Sequence, residues 1–499
     1  MTVYGNIEGG QFIAGRYREG RGDTFTTVVN PANDQVLVRF PAASSDDVDA
    51  AMTAAQDAFG DWSRATPGDR ATVIHALAAR MRVIAEELAQ AETAQAGKPI
   101  RLSREFDVPG TIDNADFFAG SARHLDGAAS AEYSGQHTSS IRREPLGVIA
   151  SIAPWNYPLQ MAGWKILPAI AAGNTIVLKP AEVTPLTSLM LAQAAVEAGV
   201  PAGVINVLNG PGRSVGAAMM RHRVPRMVSF TGSTSVGKGI ATAAAETVKR
   251  VHLELGGKAP FVVFDDADLE AAIRGAVAGS LINTGQDCTA ATRAYVHRAY
   301  YADFLDGVAR LMETVRLGDP ADPDTDLGPL ISRRQQESVS AIVERARGAG
   351  AKVVTGGSAP GGALKGGAYY EPTLIADASQ DSEIMQSEIF GPVLVVHPFD
   401  SDDEAINLAN DTPFGLAASA WTSNILRAQR ASREIQAGCV WINDHIPMAS
   451  EMPHGGYKQS GYGKDMSKYS FDEYTNVKHV MSEITGEARK PWHSTIFRG

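Results

Sequence analysis

From about residue 146 onward, short runs of β-branched and apolar residues alternate with longer stretches whose apolar positions recur at helical spacing. That alternation predicts a parallel sheet covered by helices. Strands are predicted at 174–179, 204–208 and 226–230, and between the first two Thr184 and Pro185 mark a helix start that Gly199 ends. The glycine-rich stretch from Gly232 to Gly237 follows the third strand and leads into a helix of small residues from Lys238 to Val248. A second α/β series predicts a strand at 261–264, a helix from Asp268 to about Asn283, strands at 351–354, 393–396 and 439–442, and helices at 333–347 and 425–436. Before residue 146, short strands precede helices at 45–62 and 69–95, which are expected to pack against the first lobe. The polar, β-prone segments near 125–143 and at the C-terminus fit neither lobe and are expected to pair as strands projecting into a subunit contact.

Composition narrows the class without changing this layout. A chain of 499 residues exceeds the size at which one hydrophobic core keeps growing, so two or more domains are expected. With 44% hydrophobic and 20% charged residues it has the composition of a globular protein. A formal charge of -11 opposes broad attraction to nucleic acid or to anionic membrane. No charged residue occurs between Glu144 and Lys165, but Pro154, Asn156, Pro158 and Gln160 interrupt the run, so a buried strand, loop and helix start are expected rather than a membrane span. Two cysteines give no disulfide framework and the N-terminus lacks a basic-then-apolar leader pattern, so a cytoplasmic protein is expected.

Candidate chemistry centres on one of those cysteines. Cys288 is flanked by Gln286, Asp287 and Thr289, which argues against a plain apolar core position, and Glu254 in Glu254-Leu255-Gly256-Gly257-Lys258 is a carboxylate that could move protons for a thiol nucleophile. The loop around Gly232 and Ser233 can hold phosphate oxygens through its N–H groups and helix dipole, although it lacks the G-x-G-x-x-G pattern. Lys179 and Glu182 stand just past a strand end, where an acid can accept from ribose hydroxyls and repel a 2′-phosphate, favouring NAD over NADP. Cys439, at the start of a predicted strand, is expected to be an inert small residue, and Lys165 a buried or paired ammonium.

These residues accumulate into a resemblance. Pro154-Trp155-Asn156-Tyr157-Pro158, Lys179-Pro180-Ala181-Glu182, Phe230-Thr231-Gly232-Ser233, Glu254-Leu255-Gly256-Gly257-Lys258, Gly285-Gln286-Asp287-Cys288, Glu388-Ile389-Phe390-Gly391-Pro392 and the stretch from Pro453 to Gly461 together resemble the aldehyde dehydrogenase superfamily over nearly the whole chain. The resemblance implies an α/β fold with a Rossmann-like NAD-binding domain (1–124 and 145–256), an α/β catalytic domain (257–456) and small β oligomerisation segments (125–144 and 470–499). It implies Cys288 as nucleophile, Asn156 as oxyanion donor and Glu254 as the base that activates water against a thioester. For NAD it implies Trp155, Lys179, Glu182, Gly212, Gly232, Ser233, Glu388 and Phe390; no metal is expected.

Asp287 and Thr289 beside the cysteine, His454, and the stretch Gly463-Lys464-Asp465 are similar to the branch of bacterial gamma-aminobutyraldehyde dehydrogenases, which implies 4-aminobutyraldehyde as substrate. A cationic aminoaldehyde asks for carboxylates or aromatic faces, and Asp107, Asp113, Glu451 and Tyr157 are the candidates. Asp465 is shorter than the acid common in the family, which leaves a second proton acceptor there open. The partners expected are a small aldehyde and further copies of the chain, with no nucleic acid or membrane. The alternatives are a betaine aldehyde or other aliphatic aldehyde dehydrogenase, or a catalytically silent structural member.

Overall fold

The computed structural model describes residues 7, 9–127 and 129–497, so the first residues of the expected cofactor domain, and the last two of the expected C-terminal segment, lie outside the described residues. Two large sheets organise the chain. In the first, Gly461–Tyr462, Arg250–Glu254, Met227–Thr231, Val148–Ile152, Thr175–Lys179, Ile205–Val207, Gly10–Ile13 and Arg16–Glu19 lie in that spatial order, and the five central strands are parallel. In the second the order is Lys352–Thr355, Thr373–Ala376, Val393–Phe399, Ala291–His297, Ala259–Val263, Ala417–Trp421 and Cys439–Ile442, parallel except at the first pair. The central strands of both sheets are buried on both faces, which is why they read as continuous apolar runs rather than alternations.

Helix Pro158–Ala171 accounts for the uncharged run. Every one of its side chains is buried, and it packs on helix Val108–Ser121 and on the first sheet. Among the described residues no helix is long and apolar enough to cross a membrane.

Several boundaries differ from the sequence expectation for physical reasons. The single helix expected over 69–95 is two, Pro67–Val83 and Ala85–Ala96, because Ile84 leaves helical geometry at φ -102°, ψ 20°. The helix after the glycine-rich stretch begins at Thr234, four residues early, so Gly237 lies inside it; a Cβ at Gly237 would come within 2.5 Å of Leu255. Thr184 is buried but caps no helix, and the following helix starts at Leu186 without a side-chain cap. The expected first strand of the parallel sheet is preceded by Val148–Ile152, which pairs with it in register from Val148 to Ile152.

The segments that fit neither lobe pair with each other. Thr475–Glu483 runs antiparallel to His137–Pro145 over nine residues, and Ala131–Ser134 joins the other edge. Tyr133, Val477 and Met481 of this sheet are exposed.

Candidate active site

The two sheets each present one chemical group to a shared cavity. Glu254 ends the strand Arg250–Glu254 of the first sheet, and Cys288 stands three residues before the strand Ala291–His297 of the second. Their side chains meet: Sγ lies 3.9 Å from Glu254 Oε1, the outer edge of a sulfur hydrogen bond. The cavity between them has a volume of about 290 Å³.

The loop carrying Cys288 is built from left-handed backbone. Asn283, Thr284 and Gly285 have φ of 49°, 58° and 67° in succession. Asparagine tolerates this conformation and glycine favours it, but a β-branched threonine there is strained. Side chains fix the turn. Asn283 Nδ2 donates to the carbonyls of Asn156 and Gln286, Thr284 Oγ1 donates to Gly328 O, and Gln286 Oε1 accepts from Ile331 N. Gly285 is required for a second reason, since a Cβ would sit 2.1 Å from Gly391 O; at Gly257 one would sit 2.2 Å from Cys288 O.

Asn156 enters the cavity just before helix Pro158–Ala171. Its Nδ2 donates to Gln286 O at 3.1 Å, which anchors the amide and leaves its second N–H for another acceptor. It caps no helix; Tyr157 occupies that position, without a side-chain cap.

Electrostatics separate Cys288 and Glu254. Burial pushes the Cys288 thiol well above its usual range, and the Glu254 carboxylate adds to the effect. Glu254 is more deeply buried than the half-buried Cys288, but His454 and Lys165 outweigh the burial and hold it well below the usual carboxylate range. The ground state is therefore a neutral thiol beside an ionised acid. His454 Nε2 forms an ion pair with Glu254 Oε1 at 2.7 Å, and although burial lowers the imidazole pKa, Glu254 outweighs it and raises it above its usual value. Behind them Lys165 pairs with Asp465 at 2.6 Å, both fully buried, as the isolated charge of Lys165 in its apolar run requires. Asp465, although short, reaches this cluster because the pairing of His454 with Asp465 folds the C-terminal loop under Glu254.

A second, larger groove of about 1130 Å³ joins the cavity through Pro154, Trp155, Thr231, Gly232, Ser233, Gln335 and Ser338. It contains Lys179, Glu182 and Gly212. Glu182 Oε1 accepts from Gly212 N at 2.8 Å, and Lys179 Nζ donates to Pro180 O while burial lowers its pKa to about 8. Helix Thr234–Ala245 starts at the groove with no side-chain cap on Ser233, leaving its first N–H groups for an anion. Trp155 packs edge-on against Phe390 at 5.2 Å, and Phe390 is held at φ 58°. Glu388 Oε1 accepts from Gly257 N at 3.0 Å, and burial raises its pKa to about 7. A groove with an uncapped helix start, a buried cation and carboxylates at both ends fits a dinucleotide with ribose hydroxyls.

The expected substrate residues divide sharply. Tyr157 lines the cavity and donates through its Oη to Asp287 Oδ2 at 2.7 Å, while Asp287 Oδ1 accepts from Thr289 N and Oγ1. Asp107, Asp113 and Glu451 do not line it. Asp107 is fully buried against Lys98 Nζ at 2.6 Å, and that ammonium lies 4.1 Å from the centre of the Tyr157 ring and 3.8 Å from Glu92. Lys98 engages only Oδ2 of Asp107, and what removes it from the cavity is its position, since it is fully buried and does not line the cavity. Asp113 accepts from Ser450 Oγ beside an outer groove lined by Arg82, Glu86 and Arg104, and Glu451 faces solvent. Cys439 begins an edge strand and is half-buried, with its thiol pushed up to about 11 by burial.

Asp107 thus acts through Lys98 and Tyr157, beneath the loop of Cys288. Lys98→Met strands two buried carboxylates and should cost about 3–5 kcal/mol of stability, measured by urea unfolding. A loss under about 1 kcal/mol, the range of an exposed pair, would refute that anchoring.

Phe106, Met161, Trp164 and Met448 also line the cavity and were not legible as site residues. For two of them a signal existed: Tyr157, Met161 and Trp164 recur at helical spacing along one face of the helix that Pro158 begins.

Comparison with known proteins extends the picture. The model of the aldehyde dehydrogenase family matches residues 17–480. DhaS of Bacillus subtilis strain 168, named provisionally as an aldehyde dehydrogenase, is 42% identical over 472 residues, 94% of each chain. The NAD+ complex of an aldehyde dehydrogenase from Bacillus cereus superposes with a TM-score of 0.93 at 42% identity, covering 95% of this chain and 96% of the other. Betaine aldehyde dehydrogenase of Staphylococcus aureus, also solved with NAD+, gives a TM-score of 0.94 at 36% identity, covering 96% and 95%.

Proposed function

Because the chain belongs to the aldehyde dehydrogenase family, we propose that it oxidises a small cationic aldehyde, 4-aminobutyraldehyde in first place, to its carboxylic acid with NAD. One observation carries the choice of substrate: the cavity lining holds the side chains of Glu254, Asp287 and Glu388, no lysine or arginine, and one histidine, His454, that is paired with Glu254. Such a slot repels an aldehyde bearing a carboxylate and suits an ammonium, for which Phe106, Tyr157 and Trp164 add aromatic walls.

In this reading the residues act in sequence. The S–H proton of Cys288 passes to Glu254, 3.9 Å away, as sulfur attacks the carbonyl carbon. The free N–H of Asn156 and the backbone N–H of Cys288 receive the developing oxyanion. When bound, NAD accepts the hydride that converts the thiohemiacetal into a thioester. Trp155, Lys179, Glu182, Gly212, Gly232, Ser233, Glu388 and Phe390 hold the dinucleotide, through the groove and its contact with the cavity. Glu254 releases the first proton to solvent, then removes a proton from water attacking the thioester and returns it to the departing sulfur, so the acid leaves with the Cys288 thiol restored. The exposed apolar residues of the projecting three-stranded sheet support a homo-oligomer as part of the same reading.

The S. aureus relative supports a second reading, betaine aldehyde, because a trimethylammonium group suits the same walls. Comparing kcat/KM for 4-aminobutyraldehyde, 3-aminopropionaldehyde, betaine aldehyde, propionaldehyde and succinic semialdehyde separates them. The expected order places both aminoaldehydes first and the anionic aldehyde last. A preference for propionaldehyde or succinic semialdehyde would defeat the cationic-substrate proposal, and a preference for betaine aldehyde would move it to the second reading.

A further inference from the structure

Behind the aromatic wall of the cavity, Trp164, Asn114, Ser450 and Asp113 form one continuous chain of hydrogen bonds. Trp164 of helix Pro158–Ala171 lines the cavity and donates through its indole Nε1 to Oδ1 of Asn114, on helix Val108–Ser121, at 2.6 Å. Asn114 Nδ2 donates to Ser450 Oγ at 2.5 Å, and Ser450 Oγ donates to Asp113 Oδ2. Trp164, Asn114 and Ser450 are buried, whereas Asp113 is exposed at the outer groove. Asn114, Ser450 and Asp113 do not line the cavity.

The ends of this chain dictate the sense of every link. An indole N–H can only donate and a carboxylate can only accept, so the Asn114 oxygen faces the ring, its NH2 faces Ser450, and the serine proton points at Asp113. Hydrogen bonds aligned in one direction polarise one another, and an indole that gives its N–H to an acceptor keeps more electron density in its ring. The charge at the far end is not taken up by its neighbours, because Arg82 pairs with Asp116 and Arg104 with Glu86. The same bonds fix where the ring lies. Without Asn114 a buried N–H would be left unmade, and the indole would have to shift to find another acceptor.

We propose that Asn114, Ser450 and Asp113 are positioning residues, a one-way relay that holds the Trp164 ring in place as a wall of the substrate cavity and enriches it for a cation. Ring and cation attract through the electron density of the ring face, so an exposed carboxylate favours an ammonium inside the cavity without entering it. Only this preference for charge rests on the cationic-aldehyde reading. The placement of the ring does not.

The test couples the relay to Trp164 in double-mutant cycles on the full-length enzyme with saturating NAD. Asp113→Ala should raise KM for 4-aminobutyraldehyde by about 3–10-fold, the scale of one hydrogen bond, with kcat changed by less than about 2-fold because binding rather than chemistry is affected. In the Trp164→Phe background, which has no N–H to anchor, the same substitution should change KM by less than about 2-fold. Asn114→Leu should follow the same pattern with propionaldehyde, which reads the placement of the ring without charge. Glu451→Ala, at an exposed acid next to Ser450, should leave the kinetics of both aldehydes unchanged. Circular dichroism checks that each variant is folded, and the exposed position of Asp113 keeps the relay testable if the stranded indole N–H unfolds Asn114→Leu. Equal rises in KM with and without the indole would mean that Asp113 acts as a charge through solvent, and would overturn the relay; so would a fall in kcat at unchanged KM. The parent enzyme's own ranking of the two aldehydes tests the substrate reading separately.

Discussion

Replacing Cys288 with serine is expected to lower kcat/KM for aldehyde oxidation by at least about 10³-fold, the scale on which removal of a covalent nucleophile acts. The site is poorly equipped to rescue an alcohol. Its base is a carboxylate held well below the usual range, 3.9 Å from the sulfur, and burial already raises even the thiol. A serine hydroxyl is a far weaker acid, so proton transfer to Glu254 would be strongly uphill. Cys439→Ala is the control, because that residue begins the edge strand Cys439–Ile442 and does not line the cavity. NADH absorbance under saturating dinucleotide reads both variants, and equal losses would remove Cys288 from its assigned role.

The second large effect is expected at Glu254. Glu254→Gln should slow the first NADH turnover, which needs the Cys288 proton removed, and reduce the steady state by about 10²–10⁴-fold, the range for loss of a general base. Glutamine keeps the shape and can still accept from Thr231, but it cannot take a proton from the thiol or from water. Attack and deacylation are then both slowed. In the parent enzyme the depressed pKa keeps the base ionised as pH falls through the ordinary carboxylate range, so its protonation should limit turnover only below that range. Stopped-flow absorbance separates the phases. An intact rapid burst would confine Glu254 to deacylation, and an unchanged steady state would exclude it as the hydrolytic base.

How much of this was legible depended on whether a feature is local. The alternation of apolar strands and amphipathic helices gave the two α/β lobes, and the helix expected from Asp268 starts there, with Asp268 capping it by accepting from Ala271 N. Motifs that combine a loop with its flanking residues, such as those around Cys288 and Glu254, carried their own signal. What stayed hidden was which side chains pair. Nothing near Lys98 in the chain marks it as the ammonium under Tyr157, and Asp107 looked like a free tunnel acid because its partner lies across a helix break. His454 was noticed as unusual, but its approach to Glu254 depends on a loop folding back over 200 residues of sequence. The break at Ile84 was equally silent, since alanine-rich sequence continues through it with good helical spacing.

The left-handed turn at Asn283, Thr284 and Gly285 has a consequence for how this enzyme can change over generations. At Thr284 the backbone sits about 1–2 kcal/mol above what an L-residue with a branched side chain would choose, and glycine would relieve it. Glycine would also delete the hydroxyl that ties the turn to Gly328, and with it one fixed point of the peptide carrying the nucleophile. Folding and catalysis therefore favour different residues at one site. A drift toward greater heat resistance that passed through position 284 would be opposed by selection on rate, and compensation would have to arise elsewhere in the chain.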